Sequence, residues 1–381
     1  MILLPSNLTN RKSKSNKSKK QRLLSTFSIS MKNKNRVLVL GYFGHKTNQL
    51  DGQTVKTRNV YELLISKQEE IGSISYFDTQ QFQYSKLSFL KMVGAILNCN
   101  KLIYLPAHTN LKYIFPLIFI ISKLKKIDII YLVIGGWLTE YLKSKKMHIK
   151  MLSKVKSILT ESNQLTDNLR TIYNFNNVLT FPNFRMHDFK PSFRQNPDAF
   201  KIVFMARIFR EKGIDTVFRL AEYIHKNYGN KHTISIDFYG PIQEYDSDYF
   251  LSEIEKFSFV SYQGVLEPDQ IHVTLDQYDL LVFPTRFPGE GFPGTIMDAY
   301  ISGIPVIIPN WRFLPEYVNN GVSGYIFELD KEADFFSYID HLYNDRAQLL
   351  KMKHAAYEKS KEYSSEFAYQ ILQKYLVDES K

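Results

Sequence analysis

Five side chains of this 381-residue chain stand where they could act on a small charged substrate. Arg207 and Lys212 frame one turn, Glu290 and Asp298 frame another, and His108 follows an apolar run. Two cations ahead of Gly213 and a helix start suit a diphosphate, since charge-assisted hydrogen bonds contribute about 1.5–3 kcal/mol each. A surface turn with salt-bridged cations is the plainer alternative. The two carboxylates have seven residues between them, Glu290 in a loop with three prolines and three glycines, Asp298 in the first turns of a helix. By spacing alone they either look into one cleft, or they neutralise a loop and complement a helix dipole. His108 lies in Pro106-Ala107-His108-Thr109-Asn110. It could orient a hydroxyl or take a proton, or accompany a Thr/Asn helix cap.

The elements that must carry these residues read as alternating strands and helices. Apolar runs predict strands at 36–43, 73–77, 102–105, 127–134, 158–160 and 178–179, and again at 201–205, 234–239, 260–264, 280–283 and 305–308. Helical spacing predicts helices between them, at 55–67, near 86–99, from 214, and at 295–302 with Gly303 as C-cap. The apolar run Ile114–Ile121 contains Pro116, is too short to span a bilayer, and reads as a buried helix. Past Phe327 three helical stretches follow, at 331–344, 346–362 and 365–376. Strand–glycine loop–helix units place free backbone N–H groups and a positive helix end at the mouth of a parallel sheet, where anions bind. Residues Gly52, Gln53 and Thr54 end one such loop, and Gly135-Gly136 closes another strand so that a ligand or a second backbone can come near.

The string Glu290-GFPGTIM-Asp298-AYISGIPVI, followed by Glu316, Asn320-Gly321 and Gly324, resembles the donor-binding signature of retaining GT-B glycosyltransferases, in which a Glu, seven residues and a second Glu precede A-x-x-x-G-x-P-V. Ala206-Arg207 through Lys212-Gly213 is similar to that family's G-R-x-x-x-x-K-G pattern, with Ala for the first Gly. Here the second acid is Asp298, one methylene shorter, and Pro293 removes one backbone donor from the phosphate loop, which makes Gly294 and Thr295 the amide donors. The resemblance implies an α/β, GT-B fold, two doubly wound Rossmann-like domains facing across a cleft. It implies transfer of a sugar from a nucleotide-sugar, a UDP-sugar, to a glycan or lipid-linked acceptor with retention at the anomeric carbon. Glu290, His108, Arg207 and Lys212 would be the catalytic set. Gly52, Gly240, Val265, Gly294, Thr295 and Ile296 would join Arg207, Lys212, Glu290 and Asp298 around the donor, Glu290 on sugar hydroxyls and Asp298 on ribose. No cofactor is expected, the nucleotide-sugar being a substrate. A GT-B epimerase and a non-catalytic GT-B partner subunit remain the alternatives.

Composition bounds the rest. Cys99 is the sole cysteine, so no intrachain disulfide or cysteine-rich metal site can form, and a reducing cytoplasm is expected. Asp246-Ser247-Asp248 does not follow a buried strand and reads as a solvated loop; no metal site is expected. Residues 1–36 hold ten Lys/Arg and no acid, residues 37–190 hold twenty against ten, and the remainder nineteen against twenty-eight. The organisation expected is a disordered basic tail at 1–35, an N-terminal acceptor-binding domain at 36–185, a linker at 186–199, a nucleotide-sugar domain at 200–362 and, by the resemblance, a final helix at 363–381 crossing back. With no helix-turn-helix, zinc finger or RNA-binding aromatic pair, nucleic acid is not the expected partner. The basic half instead suggests an anionic surface, the inner face of the cell membrane, touched by Lys123, Lys125, Lys126, Lys143, Lys145, Lys146, Lys150, Lys154 and Lys156.

Overall fold

A computed structural model of the chain describes residues 35–47, 51–194, 196, 198–229 and 233–377. The basic tail expected at 1–35 lies, but for Asn35, outside the described residues. Two six-stranded sheets, parallel throughout, organise the rest. The first comprises β1 (Asn35–Gly41), β2 (Gly72–Asp78), β3 (Lys101–Leu105), β4 (Asp128–Leu132), β5 (Ser157–Thr160) and β6 (Val178–Thr180), in the order β2-β1-β3-β4-β5-β6. The second comprises β7 (Phe200–Met205), β8 (Ile234–Tyr239), β9 (Val260–Tyr262), β10 (Leu280–Val282), β11 (Val306–Pro309) and β12 (Gly324–Phe327), in the order β12-β11-β10-β7-β8-β9. Both are doubly wound, and the continuous apolar runs are strands because helices cover both faces. The order reverses between β1 and β3 in the first sheet and between β7 and β10 in the second. Open α/β sheets bind ligands at those crevices.

Helices α1 (Gly52–Ser66), α2 (Ser88–Leu97), α3 (His108–Tyr113), α4 (Phe115–Lys125), α5 (Lys146–Leu152) and α6 (Asn163–Tyr173) flank the first sheet. Met92 and Ile96 of α2 and Phe115 and Ile118 of α4 share one core with Leu38, Leu102 and Tyr104. On the sheet's other face Val60 and Leu64 of α1 pack with Ala368, Leu372 and Leu376. Those last three belong to α10 (Ser365–Leu376), so this helix lies on the first domain. Asn35 Nδ2 and Lys101 Nζ donate to the carbonyls of Leu376 and Tyr375 at 2.7 and 2.9 Å. The second sheet carries α7 (Ile214–Tyr228), α8 (Gly294–Ile301) and α9 (Arg346–Ser360) among its helices. Among the described residues no helix is long and apolar enough to cross a membrane.

Two readings of the sequence need correction. The run Ile114–Ile121 is a helix, but not a buried one: α4 hides Phe115 and Ile118 and leaves Ile120 and Leu124 on the surface. A single sheet face needs only one stripe of a helix, however apolar the whole helix is. Asp246 is not solvated. Its buried carboxylate accepts from the Arg210 amide at 2.7 Å and pairs with Arg210 Nε at 3.3 Å, holding the turn that carries Lys212.

Candidate active site at the mouth of the second sheet

The turn leaving β7 is built by close backbone approach. Gly240 has φ +134° and a Cβ there would run into the Ala206 carbonyl; Gly213, at φ +89°, is pressed against the Pro284 carbonyl in the same way. Only glycine fits either position. Arg286 N and Thr285 Oγ1 donate to the Glu211 carbonyl at 2.8 and 3.2 Å, tying this turn to the loop after β10. The two sides of the crevice therefore act as one rigid cradle. Lys212 and Glu290 form a buried ion pair in it, and Thr285 Oγ1 shares its one proton between the Glu211 carbonyl and the same Glu290 oxygen, 3.4 Å away. Arg207 stays exposed, its guanidinium over the rings of Phe209 and Phe287 at 5.4 and 5.7 Å. Burial pushes the Lys212 pKa down, Glu290 opposes that shift and the Arg207 cation adds to it. The cradle thus concentrates positive charge that an anion would relieve.

Helix α8 opens beside this pair. Pro293 is its N-cap and brings no capping side chain, so the amides of Gly294 and Thr295 start the helix ahead of its first internal bonds. The Thr295 hydroxyl is buried without a hydrogen-bond partner. Ile296 departs from its expected role: its side chain is fully buried and its amide donates to the Pro293 carbonyl at 3.2 Å. Asp298 has a partner of its own. Both of its oxygens are held by Arg185, at 2.8 Å from Nε and 3.0 Å from Nη2. A carboxylate one methylene shorter than Glu sits close to the helix, and this bidentate pairing uses two of its lone-pair positions. Gly240 is sealed, its amide donating to the Gly264 carbonyl at 2.8 Å and its carbonyl accepting from Tyr262 at 3.0 Å, so it shapes the turn. Val265 follows and is exposed.

The first domain supplies the facing lip. Gly135 and Gly136 meet the loop of Glu290: a Cβ on Gly136 would lie 2.9 Å from the Glu290 carbonyl, and one on Gly135 3.4 Å from that of Gly289. His108, the first residue of α3, makes edge contacts with Trp137 at 5.2 Å and Tyr141 at 4.7 Å. Trp137 follows Gly136, which meets the Glu290 loop, so His108 stands beside that lip. Gly52 begins α1 in open space. Thr54 is turned back onto Asp51, which accepts from its amide at 2.8 Å.

Three features escaped the sequence reading. Lys56 and Glu161 form a second buried Lys–Glu pair at 2.7 Å, and Glu161 Oε2 also accepts from the amides of Gly135 at 3.0 Å and of Phe292, across the cleft, at 3.3 Å. Glu316 of the second domain accepts from Asn163 and Gln164 N at 2.7 and 2.8 Å, capping α6 of the first. Arg185 is the third. Glu161 follows β5, the same strand-end signal that singled out His108, and so was open to recognition; the partners of Lys56 and Arg185 were not.

With this geometry in hand, the chain can be set beside known proteins. Residues 186–361, somewhat under half of the chain, match the model of the family described as glycosyl transferases group 1. An uncharacterized 41.2 kDa protein in the cps region of Klebsiella pneumoniae is 24% identical over 158 residues; the match spans 40% of this chain and 41% of that relative. HepE of Anabaena, solved in complex with UDP and glucose, superposes with a TM-score of 0.67 at 13% identity, covering 90% of this chain and 99% of that one. A mutant TarM of S. aureus, solved with fondaparinux, alpha-GlcNAc-glycerol and UDP, gives 0.60 at 17% identity over 73% of this chain and 55% of that one. The fold is GT-B, two parallel α/β domains facing across a cleft.

Proposed function

We propose that the chain is a retaining glycosyltransferase that moves a hexosyl-type sugar from a UDP-sugar to a glycan or lipid-linked acceptor. The setting is the synthesis of a cell-surface polysaccharide at the inner face of the membrane. One observation carries this reading: Arg207 and the buried Lys212–Glu290 pair stand at the switch point of the second sheet, with Glu290 on the loop that leads into α8. UDP in HepE and TarM, and the cps-region relative, support the choice of substrate class.

In this reading the diphosphate lies against Arg207, Lys212 and the start of α8. Negative charge grows on it as the glycosidic bond breaks, and two cations and a helix end stabilise that charge more than they stabilise the intact donor. Lys212 has three N–H donors and the Glu290 carboxylate about four lone-pair positions. The pair can therefore keep its mutual bond while Lys212 takes a phosphate oxygen and Glu290 a sugar hydroxyl. The acceptor hydroxyl enters from the His108 side, attacks on the face the diphosphate leaves, and gives its proton to the departing phosphate. A donor screen scoring nucleotide release, with NMR of the product anomer, tests this. Release from UDP-sugars with an unchanged anomeric configuration is expected. Failure to bind UDP, or an inverted product, overturns it.

A further inference from the structure

The two faces of the first sheet differ in a way that the cleft does not explain. Helices α2, α4 and α5 cover one face, since Met92, Phe115 and Met151 enter the same core. Their outer sides must therefore point away from the sheet together. On those outer sides Leu90, Leu97, Ile120, Leu124 and Met147 are exposed, Leu90 at 66% and Leu124 at 78%. Leu90 and Leu97 lie two helical turns apart, Ile120 and Leu124 one, so each helix shows a continuous apolar stripe. Lys86, Lys91, Lys112, Lys125 and Lys126 stand exposed around these stripes, and no Asp or Glu occurs between residues 79 and 127. Lys123 holds its ammonium over the Phe119 ring at 5.3 Å and donates to the Lys154 carbonyl at 2.9 Å, which joins α4 to the lysines after α5 on one surface. The opposite face, with α1 and α10, exposes Glu62, Glu69, Glu70 and Glu366, the last paired with Lys67 at 3.1 Å.

An apolar patch with a cationic rim, free of acids along α2 and α4, matches the boundary of an anionic bilayer, where leucines enter the acyl region and lysines snorkel to the headgroups. We infer that the outer face of α2, α4 and α5 is the membrane-docking surface, seated on an anionic lipid bilayer. The inference rests on the glycosyltransferase reading only for its purpose. A groove of about 380 Å³ opens on this face between Phe82, Phe89, Tyr113 and Ile114 and ends at Thr109 and Asn110, next to His108 on the lip of the cleft. A lipid-linked acceptor held in the bilayer would present its headgroup at the side of the cleft opposite Glu290.

The full chain is floated with vesicles of phosphatidylcholine alone and of phosphatidylcholine mixed with phosphatidylglycerol, while UDP binding is followed by calorimetry. Binding to the mixed vesicles only, weakened by salt, is expected. The double variant Leu90→Glu/Leu124→Glu should lose at least about tenfold in partition, because charge replaces the inserted stripe. Lys125→Gln/Lys126→Gln should lose severalfold, and Phe367→Glu on the opposite face should lose nothing. UDP affinity should be the same in all of them, which also reports that each is folded. Wild-type partition of the Leu90/Leu124 variant, as attachment through the basic tail alone would give, overturns the inference. So does equal binding to neutral vesicles. Absent UDP binding in the wild type overturns the glycosyltransferase reading and leaves the vesicle comparison standing.

Discussion

Each domain carries a buried Lys–Glu pair at the mouth of its sheet, yet the two pairs are wired differently. In the first domain Glu161 takes Lys56, the Gly135 amide and, across the cleft, the Phe292 amide, while Lys56 also donates to the Val133 carbonyl at 3.4 Å. In the second, Glu290 has Lys212 and one long bond from Thr285, and Lys212 has two aromatic rings and the repulsion of Arg207 around it. A pair whose donors and acceptors are mostly engaged by the chain itself holds structure. A pair with capacity to spare, whose cation is destabilised by its surroundings, has something left for a substrate. Lys353 and Asp279 confirm the first pattern: Lys353 also reaches the carbonyls of Arg194 and Tyr278, and Asp279 takes the Lys201 amide.

The largest effect expected from this contrast is on stability. Lys56→Met leaves Glu161 buried without its cation and should cost about 3–5 kcal/mol in urea unfolding. Lys212→Ala should cost clearly less, since Arg207 remains nearby; equal losses would erase the distinction. The reverse holds for turnover. Arg207→Ala and Lys212→Ala should each lower kcat at least about tenfold, the loss of charge stabilisation on the leaving diphosphate, and wild-type rates would remove these residues from the site.

Smaller effects sharpen the comparison. Because burial holds the Lys212 pKa below the ordinary 10.5, its cation is lost as pH rises through that lowered value. Lys212→Arg should shift the alkaline limb of kcat/KM upward; an unmoved limb would assign it elsewhere. Glu316→Ala removes the cross-domain acceptor of the first α6 amides while Ser162 stays as the N-cap, and should cost about 1 kcal/mol, with a more open cleft by small-angle scattering; an unchanged radius of gyration would deny Glu316 a part in closure. His187 and His272, their rings tilted to each other with centroids 5.6 Å apart, both have pKa values lowered chiefly by burial. The unfolded chain therefore binds protons that the folded chain refuses, and stability should decline as pH falls below the ordinary 6.5. His272→Leu should flatten that decline.

Much of the site was legible because it rests on local chain chemistry. Glycine at 213 and 240, the cations at 207 and 212, and Glu290 in a proline-glycine loop follow strands whose apolar runs are plain in the sequence. Asp298 has a neighbour that the sequence did not show. Its position in the helix was clear, but Arg185, which pairs with it, lies more than a hundred residues away and carries no local mark. Ile114–Ile121 was misjudged for a related reason, since composition reveals how apolar a helix is and not how much of it finds a partner.

The sequence by itself determined the alternation of strands and helices, the two parallel sheets and the cation-bearing glycine turn after β7, because strand burial and glycine geometry are properties of consecutive residues. Only the tertiary structure decided which charges meet. Lys56 with Glu161, Arg185 with Asp298 and Glu316 with the start of α6 are pairings between distant segments, and a charge takes its role from the neighbours that desolvate or satisfy it.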